Sequence, residues 1–375
     1  MGDDEGMTSL QMRLVVGVAA GALTAIALAQ PSASHPAAPP GTTTAQVSSS
    51  ASSTTPVAPL APAYIRDRVA GLGAGFDGRI GIAVRSVDDG WQTGWHAEEL
   101  YPQQSVSKLW VAITAMDAVD RGQIRLSDPV TLTRGDLTLF HQPIAATILT
   151  KGAETTTLGR LLHDAITLSD NTCNDMLMRS VGGPDAVRAM IAQKGLGSIR
   201  FTNGERALQS KIAGVAWSPS FSVGGGFDRA RDALPLSLRR SLLQRYIDDP
   251  YDGAAPASVV QALARLKKGL LLSPSSTAFL LATMGNTKTG ANRLRGGLEP
   301  GWTLSHKTGT GQVLGSVQAG YNDIGVITGP DGKSYAIAVM IKQTTTPLST
   351  RMTLMNEVVR SIIRQHDQSA GSVTL

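Results

Sequence analysis

Ser105 and Lys108 form the first of three polar groups whose residue types and spacing suit nucleophilic chemistry. They begin a helical pattern, and residues three apart lie on one face of a helix. The helix N-terminus also directs backbone N–H groups toward a negative charge forming near the serine. Burial and neighbouring cations can lower the pKa of a lysine until it accepts a serine proton. Taken alone, Ser-x-x-Lys is equally typical of an exposed helix start.

The second and third groups add further polar atoms. Ser169-Asp170-Asn171 follows a helical pattern, and its hydroxyl and amide could move a proton and hold a substrate amide. An ordinary capping turn explains the same residue types. Lys307-Thr308-Gly309 follows a predicted strand, where a lysine could hold a carboxylate and small residues admit a ligand close to the backbone. A second copy at Lys288–Gly290 has loop-like flanks, and we predict that it is unrelated to the site.

The composition excludes several other kinds of site. The 375 residues contain one cysteine, Cys173, so neither an intrachain disulfide nor a zinc site with two cysteines can form. Histidines never stand three or four positions apart, so a histidine-based metal motif is absent and no metal or cofactor is expected. The net charge of +5 is spread along the chain, which disfavours nucleic-acid binding. Cys173 itself is typical of a small buried hydrophobic residue.

Strands near both ends of the folded part and helices between them must position these groups. Alternating apolar residues predict strands at 79–87, 91–96, 302–306, 317–328 and 334–341, and a closing helix at 352–364. Helical spacing dominates from residue 105 to about 195. We therefore predict an α+β fold whose sheet is completed by both ends of the domain.

Residues 210–250 interrupt the helical pattern. They contain Ser-Pro-Ser at 218–220, three glycines at 224–226 and a basic run at 229–245. Glycine, proline and serine favour turns and loops. The stretch therefore predicts a long insertion with one short helix.

The first 62 residues predict an export signal and a linker. Met12-Arg13 precedes an apolar run at 14–28 that closes on Ala-Leu-Ala, which is typical of a secretory signal peptide over residues 1–29. The run is shorter than the roughly 20 residues of a membrane-spanning helix, and an uncleaved anchor is the alternative. Residues 30–62, rich in Pro, Ala, Ser and Thr, predict a flexible linker before a folded domain at 63–375. We expect export to a bacterial periplasm, or secretion, without stable membrane insertion after cleavage.

In this order, Ser105-x-x-Lys108, Ser169-Asp170-Asn171 and Lys307-Thr308-Gly309 resemble the three motifs of class A β-lactamases and penicillin-binding proteins. The resemblance is closest to class A and covers roughly residues 64–366, apart from the insertion. It implies an antiparallel sheet flanked by helices, with an all-helical subdomain inserted over about 104–256. It also implies a monomer and an extended Ω loop that includes the insertion at about 210–250.

The segment Arg200–Gln209 resembles the class A Ω-loop motif. This similarity implies that Glu205 is the glutamate that activates water; without it, Glu205 would be interpreted as a solvated loop carboxylate. Gln209 stands where the family usually has asparagine, another amide that can help hold a water.

Two further positions, 203 and 175, depart from the class A pattern. Asn203 stands where the family has an arginine that pairs with an aspartate, matched here by Asp252, and Asp175 replaces an asparagine that braces the loop. These changes leave acylation plausible and weaken the expectation of fast deacylation, because small displacements of a catalytic group are costly. Alternatively, the insertion packs over the site and restores the support.

The resemblance implies a role for each residue of the motifs. Ser105 would be the nucleophile, Lys108 or a Glu205-bound water would accept its proton, and Ser169 would protonate the leaving nitrogen. Backbone N–H groups of Ser105 and Thr310 would form the oxyanion hole. The expected substrate-binding residues are Asn171, Lys307, Thr308, Gly309, Thr310 and Arg351.

The implied function is hydrolysis of β-lactams, and hence antibiotic resistance, with the β-lactam as a small-molecule substrate. One alternative is a penicillin-binding-type serine peptidase that acts on D-alanyl or other peptides. Another is a sensor that is acylated by a β-lactam and does not turn over. Glu205 in an Ω-like context favours the hydrolase, because deacylation separates it from the other two.

Overall fold

The structure is a computed structural model that describes residues 59–371. The predicted signal peptide and most of the predicted linker lie outside these residues and remain predictions. Alternating apolar segments near both ends of the described chain form the main antiparallel sheet. Its strands are β1 (Arg79–Ser86), β2 (Gln92–Trp95), β7 (Thr303–Thr310), β8 (Val313–Leu314), β9 (Val317–Thr328) and β10 (Ser334–Thr344). The order is β2-β1-β10-β9-β7, with β8 beside β9.

The sheet confirms the predicted fold class, because its first and last strands, β1 and β10, are neighbours. One detail of β7 differs from the prediction. Lys307-Thr308-Gly309 lies inside the strand, since pairing with β9 continues to Thr310 opposite Tyr321. This motif therefore belongs to a hydrogen-bonded strand at the sheet edge, and a loop would hold it less firmly.

The two faces of the sheet pack against different helices. Ile82 and Val84 of β1 belong to an outer core with α1 (Ala63–Ala74) and α12 (Leu348–Gly371), whereas Ala83 belongs to an inner core with the other helices. This division follows from the alternation of side chains along a strand. Among residues 59–371, helices that could cross a membrane by length and apolarity are absent.

The region between β2 and β7 is mainly helical. Its helices are α2 (Lys108–Asp120), α3 (Ala145–Lys151), α4 (Leu158–Thr167), α5 (Asn171–Ser180), α6 (Gly183–Gln193), α7 (Glu205–Ala213), α8 (Gly226–Asp232), α9 (Leu236–Asp248), α10 (Pro256–Lys267) and α11 (Pro274–Gly285). Short antiparallel ladders also occur there, β3 (Tyr101–Pro102) with β6 (Gly253–Ala254) and β4 (Pro129–Thr133) with β5 (Ala153–Thr157). The subdomain expected as all-helical over about 104–256 thus contains the β4–β5 ladder and strand β6, whose partner β3 lies just before it.

Helix α2 is the central helix of the inner core. It buries an unbroken run from Lys108 to Met116. A helix that is apolar on most sides is stable when other helices surround it. The 3₁₀ helix Gln104–Ser107 leads directly into α2, so the rigid centre of the domain fixes Ser105.

The insertion contains more helix than the sequence predicted. Both α8 and α9 lie within residues 210–250, where we expected one short helix. Leu243, Tyr246 and Ile247 of α9 are buried against Leu208 and Ile212 of α7. This apolar stripe is narrow, and the surrounding arginines concealed its helical spacing.

Candidate active site

A cavity of about 460 Å³ lies between the helical region and the sheet edge at β7. Its lining residues are Gln104, Ser105, Phe140, His141, Ser169, Asn171, Glu205, Gln209, Arg231, Thr289, Arg293, Thr308, Thr310, Gly311, Gln312 and Val313. The volume lies within the usual range for sites that enclose a small organic molecule. Groups from all three sequence motifs and from α7 therefore meet in one place.

Ser105 is paired with a buried lysine. Lys108 Nζ lies 2.8 Å from Ser105 Oγ and donates a second hydrogen bond of 2.8 Å to Asn171 Oδ1. Burial lowers the pKa of Lys108, and the negative charges of Glu205, Asp175 and Asp170 act in the opposite direction. The lowered pKa increases the fraction of Lys108 that is neutral, and neutral lysine can accept the serine proton.

The backbone before Ser105 is strained and firmly held. Gln104 has φ of 53°, in the left-handed region that non-glycine residues rarely occupy. Its N–H donates to Asp252 Oδ2 at 2.7 Å, and its side-chain amide donates to the Tyr246 hydroxyl at 2.5 Å. Strain of this kind persists only where the surrounding structure maintains it. These two contacts therefore keep Ser105 at the cavity.

A second buried lysine faces Ser169. Lys307 Nζ donates to Ser169 Oγ and to the Thr308 carbonyl, each at 2.9 Å. Desolvation, followed by the nearby charge of Lys108, lowers the pKa of Lys307 well below its ordinary value. The carboxylate of a bound ligand would offset both the desolvation of Lys307 and its repulsion by Lys108, since an opposite charge favours the ammonium form.

Gly309 lets strand β7 approach the segment that carries Ser105. A Cβ atom at this position would collide with the Gln103 carbonyl and contact Val106. Strand β7 therefore needs glycine to lie beside the 3₁₀ helix, which places Thr308 and Thr310 on the cavity wall.

The second Lys-Thr-Gly copy contributes to the cavity, contrary to our prediction. Thr289 lines the cavity, and its hydroxyl lies 2.6 Å from the hydroxyl of Thr308. The flanks of this copy are indeed irregular, but they fold back against β7. The position of this copy along the sequence gave no indication that it would contact β7.

Arg293 lines the cavity, whereas Arg351 is not among its lining residues. The Arg293 guanidinium donates to Thr310 Oγ1 at 2.6 Å and lies over the ring of Tyr321. The Arg351 guanidinium donates instead to the carbonyl of Thr346 at 2.9 Å. The cation nearest the threonines of β7 is thus Arg293, which the sequence analysis missed.

Glu205 is the first residue of α7 and also faces the cavity. Its carboxylate accepts a hydrogen bond of 2.9 Å from Gln209, and its backbone N–H lies 3.1 and 3.0 Å from the two carboxylate oxygens of Asp175. Burial, followed by the charge of Glu205, raises the pKa of Asp175 to about 6. Asp175 therefore braces the start of α7 as an acceptor.

The insertion supplies support where the class A clamp was expected. Asn203 accepts a hydrogen bond of 3.1 Å from Arg188 and does not take part in the support of Asp252. Tyr246 of α9 donates to Asp252 Oδ1 at 2.9 Å, and burial raises the pKa of this carboxyl to about 6. A tyrosine hydroxyl and the Gln104 backbone thus hold the matching aspartate.

Comparison with known proteins identifies the family. The profile of the β-lactamase enzyme family matches residues 64–366, most of the described chain. The chain belongs to this family. The β-lactamase VEB-1 of Pseudomonas aeruginosa is 26% identical over 266 residues, which cover 71% of this chain and 78% of that protein. The extended-spectrum β-lactamase PER-1, also from Pseudomonas aeruginosa, is 26% identical over 79% of this chain and 85% of its own length.

Solved β-lactamase structures share the fold over nearly their whole length. A β-lactamase from Chitinophaga pinensis is 27% identical with a TM-score of 0.66, and the match covers 80% of this chain and 97% of that one. An ancestral class A β-lactamase is 27% identical with a TM-score of 0.64 and is covered over 99% of its length. These neighbours confirm the resemblance to class A.

In this β-lactamase-family chain, the cavity brings together most of the residues selected from sequence. Ser105, Ser169, Asn171, Glu205, Thr308 and Thr310 line it, Lys108 and Lys307 bond to its hydroxyls, and Gly309 packs behind it. Some residues missed from sequence come from segments outside the three motifs, namely His141, Arg231, Thr289 and Arg293. Gln104, Gln312 and Val313 were also missed, although they lie close to Ser105 or Thr310 in the sequence.

Proposed function

We propose that the protein is a serine β-lactamase that hydrolyses the β-lactam amide bond through an acyl-enzyme on Ser105. The observation that carries this proposal is that Ser105 and Glu205 line one cavity, each beside its own partner. Lys108 Nζ forms a hydrogen bond with the Ser105 hydroxyl, and the Gln209 amide donates one to the Glu205 carboxylate. A nucleophile for acylation and a base for deacylation are the two groups that turnover requires.

Acylation begins when Lys108 accepts the proton of Ser105 and the serine oxygen attacks the lactam carbonyl. Lys108 is favoured over a Glu205-bound water as the base, because its Nζ lies 2.8 Å from the serine oxygen. Backbone N–H groups of Ser105 and Thr310 stabilise the oxyanion. The lactam C–N bond then breaks, and Ser169 passes a proton to the nitrogen while Lys307 supports its hydroxyl at 2.9 Å. The proton that Lys108 took from Ser105 replaces the one that Ser169 gives up, so Lys108 and Ser169 return to their starting states.

The substrate is held at two points. The amide of Asn171 binds the side-chain amide of the β-lactam. Lys307, Thr308 and Thr310 bind its ring carboxylate, and we assign the additional cation at that carboxylate to Arg293, which donates to Thr310 at 2.6 Å.

Deacylation uses Glu205 as a general base. Its carboxylate removes a proton from water as the water oxygen attacks the ester carbon. The ester bond to the Ser105 oxygen then breaks and a proton returns to that oxygen, which restores the Ser105 hydroxyl and the Glu205 carboxylate. The Gln209 amide helps to hold that water. Support for this step comes from Asp175 and Gln209, which fix the backbone and the carboxylate of Glu205. We further propose that the protein acts as an exported monomer.

The test uses purified protein, a chromogenic cephalosporin and intact-mass measurement. We expect multiple turnover, a loss of roughly a thousandfold or more in Ser105→Ala, and an accumulating acyl adduct in Glu205→Ala. A stable adduct on the unmodified protein would instead indicate a β-lactam sensor. Neither adduct nor turnover, with cleavage of a D-alanyl peptide, would indicate a serine peptidase.

A further inference from the structure

The insertion places two side chains on the same side of helix α8, toward the cavity. Phe227 and Arg231 are four residues apart, a spacing that puts side chains on one helix face. The buried ring of Phe227 packs edge-on against Phe140, with ring centroids 5.3 Å apart. Phe140 and Arg231 both line the cavity. The insertion therefore forms part of the wall of the site.

Two aspartates hold the guanidinium of Arg231 in place, and one of its nitrogens makes only a weak hydrogen bond. Its Nη2 lies 3.1 Å from Asp228, and its Nε lies 3.4 Å from Asp232, which Arg239 shares at 2.7 Å. The side chains of both aspartates are more than half exposed, so water screens these pairs. The remaining nitrogen, Nη1, lies 3.5 Å from the side-chain Oε1 of Gln312, at the limit of a hydrogen bond. A carboxylate would be a better acceptor for this nitrogen.

Arg231 and Arg293 belong to different parts of the cavity wall. Arg293 donates to Thr310 of β7, in the group proposed to bind the ring carboxylate. Arg231 contacts Gln312, whose amide in turn donates to Gln209 of α7 at 2.8 Å. A substrate whose ring carboxylate lies at Arg293 therefore leaves Arg231 available to a second anionic group.

We propose that Arg231 is a specificity-determining residue that favours β-lactams with a second carboxylate on the acyl side chain. This inference rests on the proposed hydrolysis of β-lactams. In the proposed function the side-chain amide binds at Asn171, whose Nδ2 donates to the Leu139 carbonyl at 2.9 Å, directly before Phe140. The atoms beyond that amide would therefore extend toward the wall that Phe140 and the insertion form. Arginine suits this role because its planar guanidinium matches a carboxylate.

Three penicillins that differ at one side-chain carbon test the proposal. They are benzylpenicillin, its α-carboxy derivative and its α-amino derivative, which carry no charge, a negative charge and a positive charge at that carbon. The measured quantity is the kcat/KM of each charged derivative divided by that of benzylpenicillin, so a general loss of activity cancels. The variants are Arg231→Gln, Arg231→Lys and, as a matched loss of charge from an exposed position on α9, Arg240→Gln.

We expect Arg231→Gln to lower the α-carboxy ratio about fivefold, the size of a partly screened ion pair, and to raise the α-amino ratio. Arg231→Lys should restore much of the preference, and Arg240→Gln should leave it unchanged. In the unmodified protein the α-carboxy ratio should also fall as salt is raised, which tests the proposal without any variant.

An α-carboxy ratio that is the same in Arg231→Gln and the unmodified protein would overturn the proposal, as would a ratio insensitive to salt. An equal loss in Arg240→Gln would overturn it too, because a general field would then be responsible. If benzylpenicillin acylates Ser105 but is not hydrolysed, the proposed hydrolysis fails. The acylation rates of the three penicillins then decide the charge preference by the same ratios.

Discussion

Asp175 is the residue that most directly positions Glu205. Both of its carboxylate oxygens lie within 3.1 Å of the Glu205 backbone N–H. Gly204 makes this approach possible, because its φ is 92° and a Cβ atom there would lie 2.9 Å from Asp175 Oδ2. The aspartate that departs from the class A pattern therefore still acts as a brace, but it adds a buried carboxyl next to that of Glu205.

We predict that Asp175→Asn changes stability in a pH-dependent way. The pKa of Asp175 is raised from 3.8 to about 6 by burial and by Glu205, so the folded state retains this proton at pH values where the unfolded state has released it. The free energy of unfolding should therefore fall as pH rises from about 4 to about 6, by up to roughly 3 kcal/mol from this group. Asparagine cannot ionise and can still accept from the Glu205 N–H.

Asp175→Asn should accordingly be more stable than the unmodified protein at pH 8 and should lose that advantage near pH 4. Urea unfolding at both pH values measures the difference. Asp252 retains its own raised pKa of about 6, so some of the pH dependence should persist in the variant. An advantage of equal size at the two pH values would contradict the prediction, since ionisation of Asp175 would then play no part.

Substitution of the two candidate arginines decides which one binds the substrate carboxylate. We expect Arg293→Gln to raise KM about tenfold, because it removes a charged hydrogen-bond donor beside Thr310. Arg351→Gln should leave KM within about twofold, because its guanidinium contacts Thr346 and Gln318.

Steady-state kinetics with one cephalosporin, together with melting temperatures, provides the measurement for both arginine variants. The melting temperature is needed because Arg293 also donates to the carbonyls of Gly309 and Asn322. A larger increase in KM for Arg351→Gln than for Arg293→Gln would assign the carboxylate to Arg351, as the sequence alone suggested.

At the scale of elements, helix α9 supports the extended Ω loop in place of the class A clamp. Tyr246 donates to Asp252 and accepts from Gln104, and so connects the insertion to the residue immediately before the nucleophile. A loop without this helix would leave Asp252 Oδ1 and the side-chain N–H of Gln104 without their tyrosine partner, at a cost of roughly 1–3 kcal/mol each. The insertion thus restores the support that the absent clamp removed.

Tyr246→Phe tests that support, with Tyr251→Phe as its control. The first change removes a buried hydroxyl between Gln104 and Asp252, whereas the second removes the hydroxyl of the adjacent, partly exposed ring. We expect Tyr246→Phe to lower the free energy of unfolding by about 1–3 kcal/mol and to slow acylation of Ser105, with little effect from Tyr251→Phe. Denaturant unfolding and single-turnover acylation measure the two effects. Equal effects of the two variants would show that α9 supports the site only by packing.

The sequence predicted those elements whose patterns lie within short segments of the chain, and it missed those that depend on long-range contacts. The strands near both ends and the three motifs were predictable, because alternation and residue spacing are properties of short segments. Arg293 and Thr289 were not, because their place in the cavity depends on a long-range fold of residues 288–293 against β7. The pairing of Tyr246 with Asp252 was hidden for a similar reason, since it required a helix that the arginines of the insertion obscured.

Across the whole molecule, buried charge is concentrated where the helical region meets the sheet. Lys108, Lys307, Asp175 and Asp252 are each less than 4% exposed. Burial shifts the pKa of all four toward the neutral form, so each has a cost in stability. The two apolar cores on either side of the sheet must offset that cost. These four buried side chains therefore depend on the packing of the folded domain around them.

Cys173 offers a measure of how completely the domain stays closed. It is fully buried in the inner core on α5, and burial raises the pKa of its thiol. A thiol reagent reacts with the exposed thiolate. We therefore predict labelling at least about a thousandfold slower than in the unfolded chain, because stable domains are unfolded in less than roughly one molecule per thousand.

The labelling rate should rise with urea in parallel with global unfolding, as followed by circular dichroism, and Cys173→Ala provides the unlabelled control. Ligands that bind only the folded state raise its stability, so a slowly released acyl adduct on Ser105 should slow labelling further. Labelling that is rapid without urea and unaffected by the adduct would contradict the prediction. It would mean that α5 opens independently of the rest, and Asn171 at its first turn could then not be a fixed part of the site.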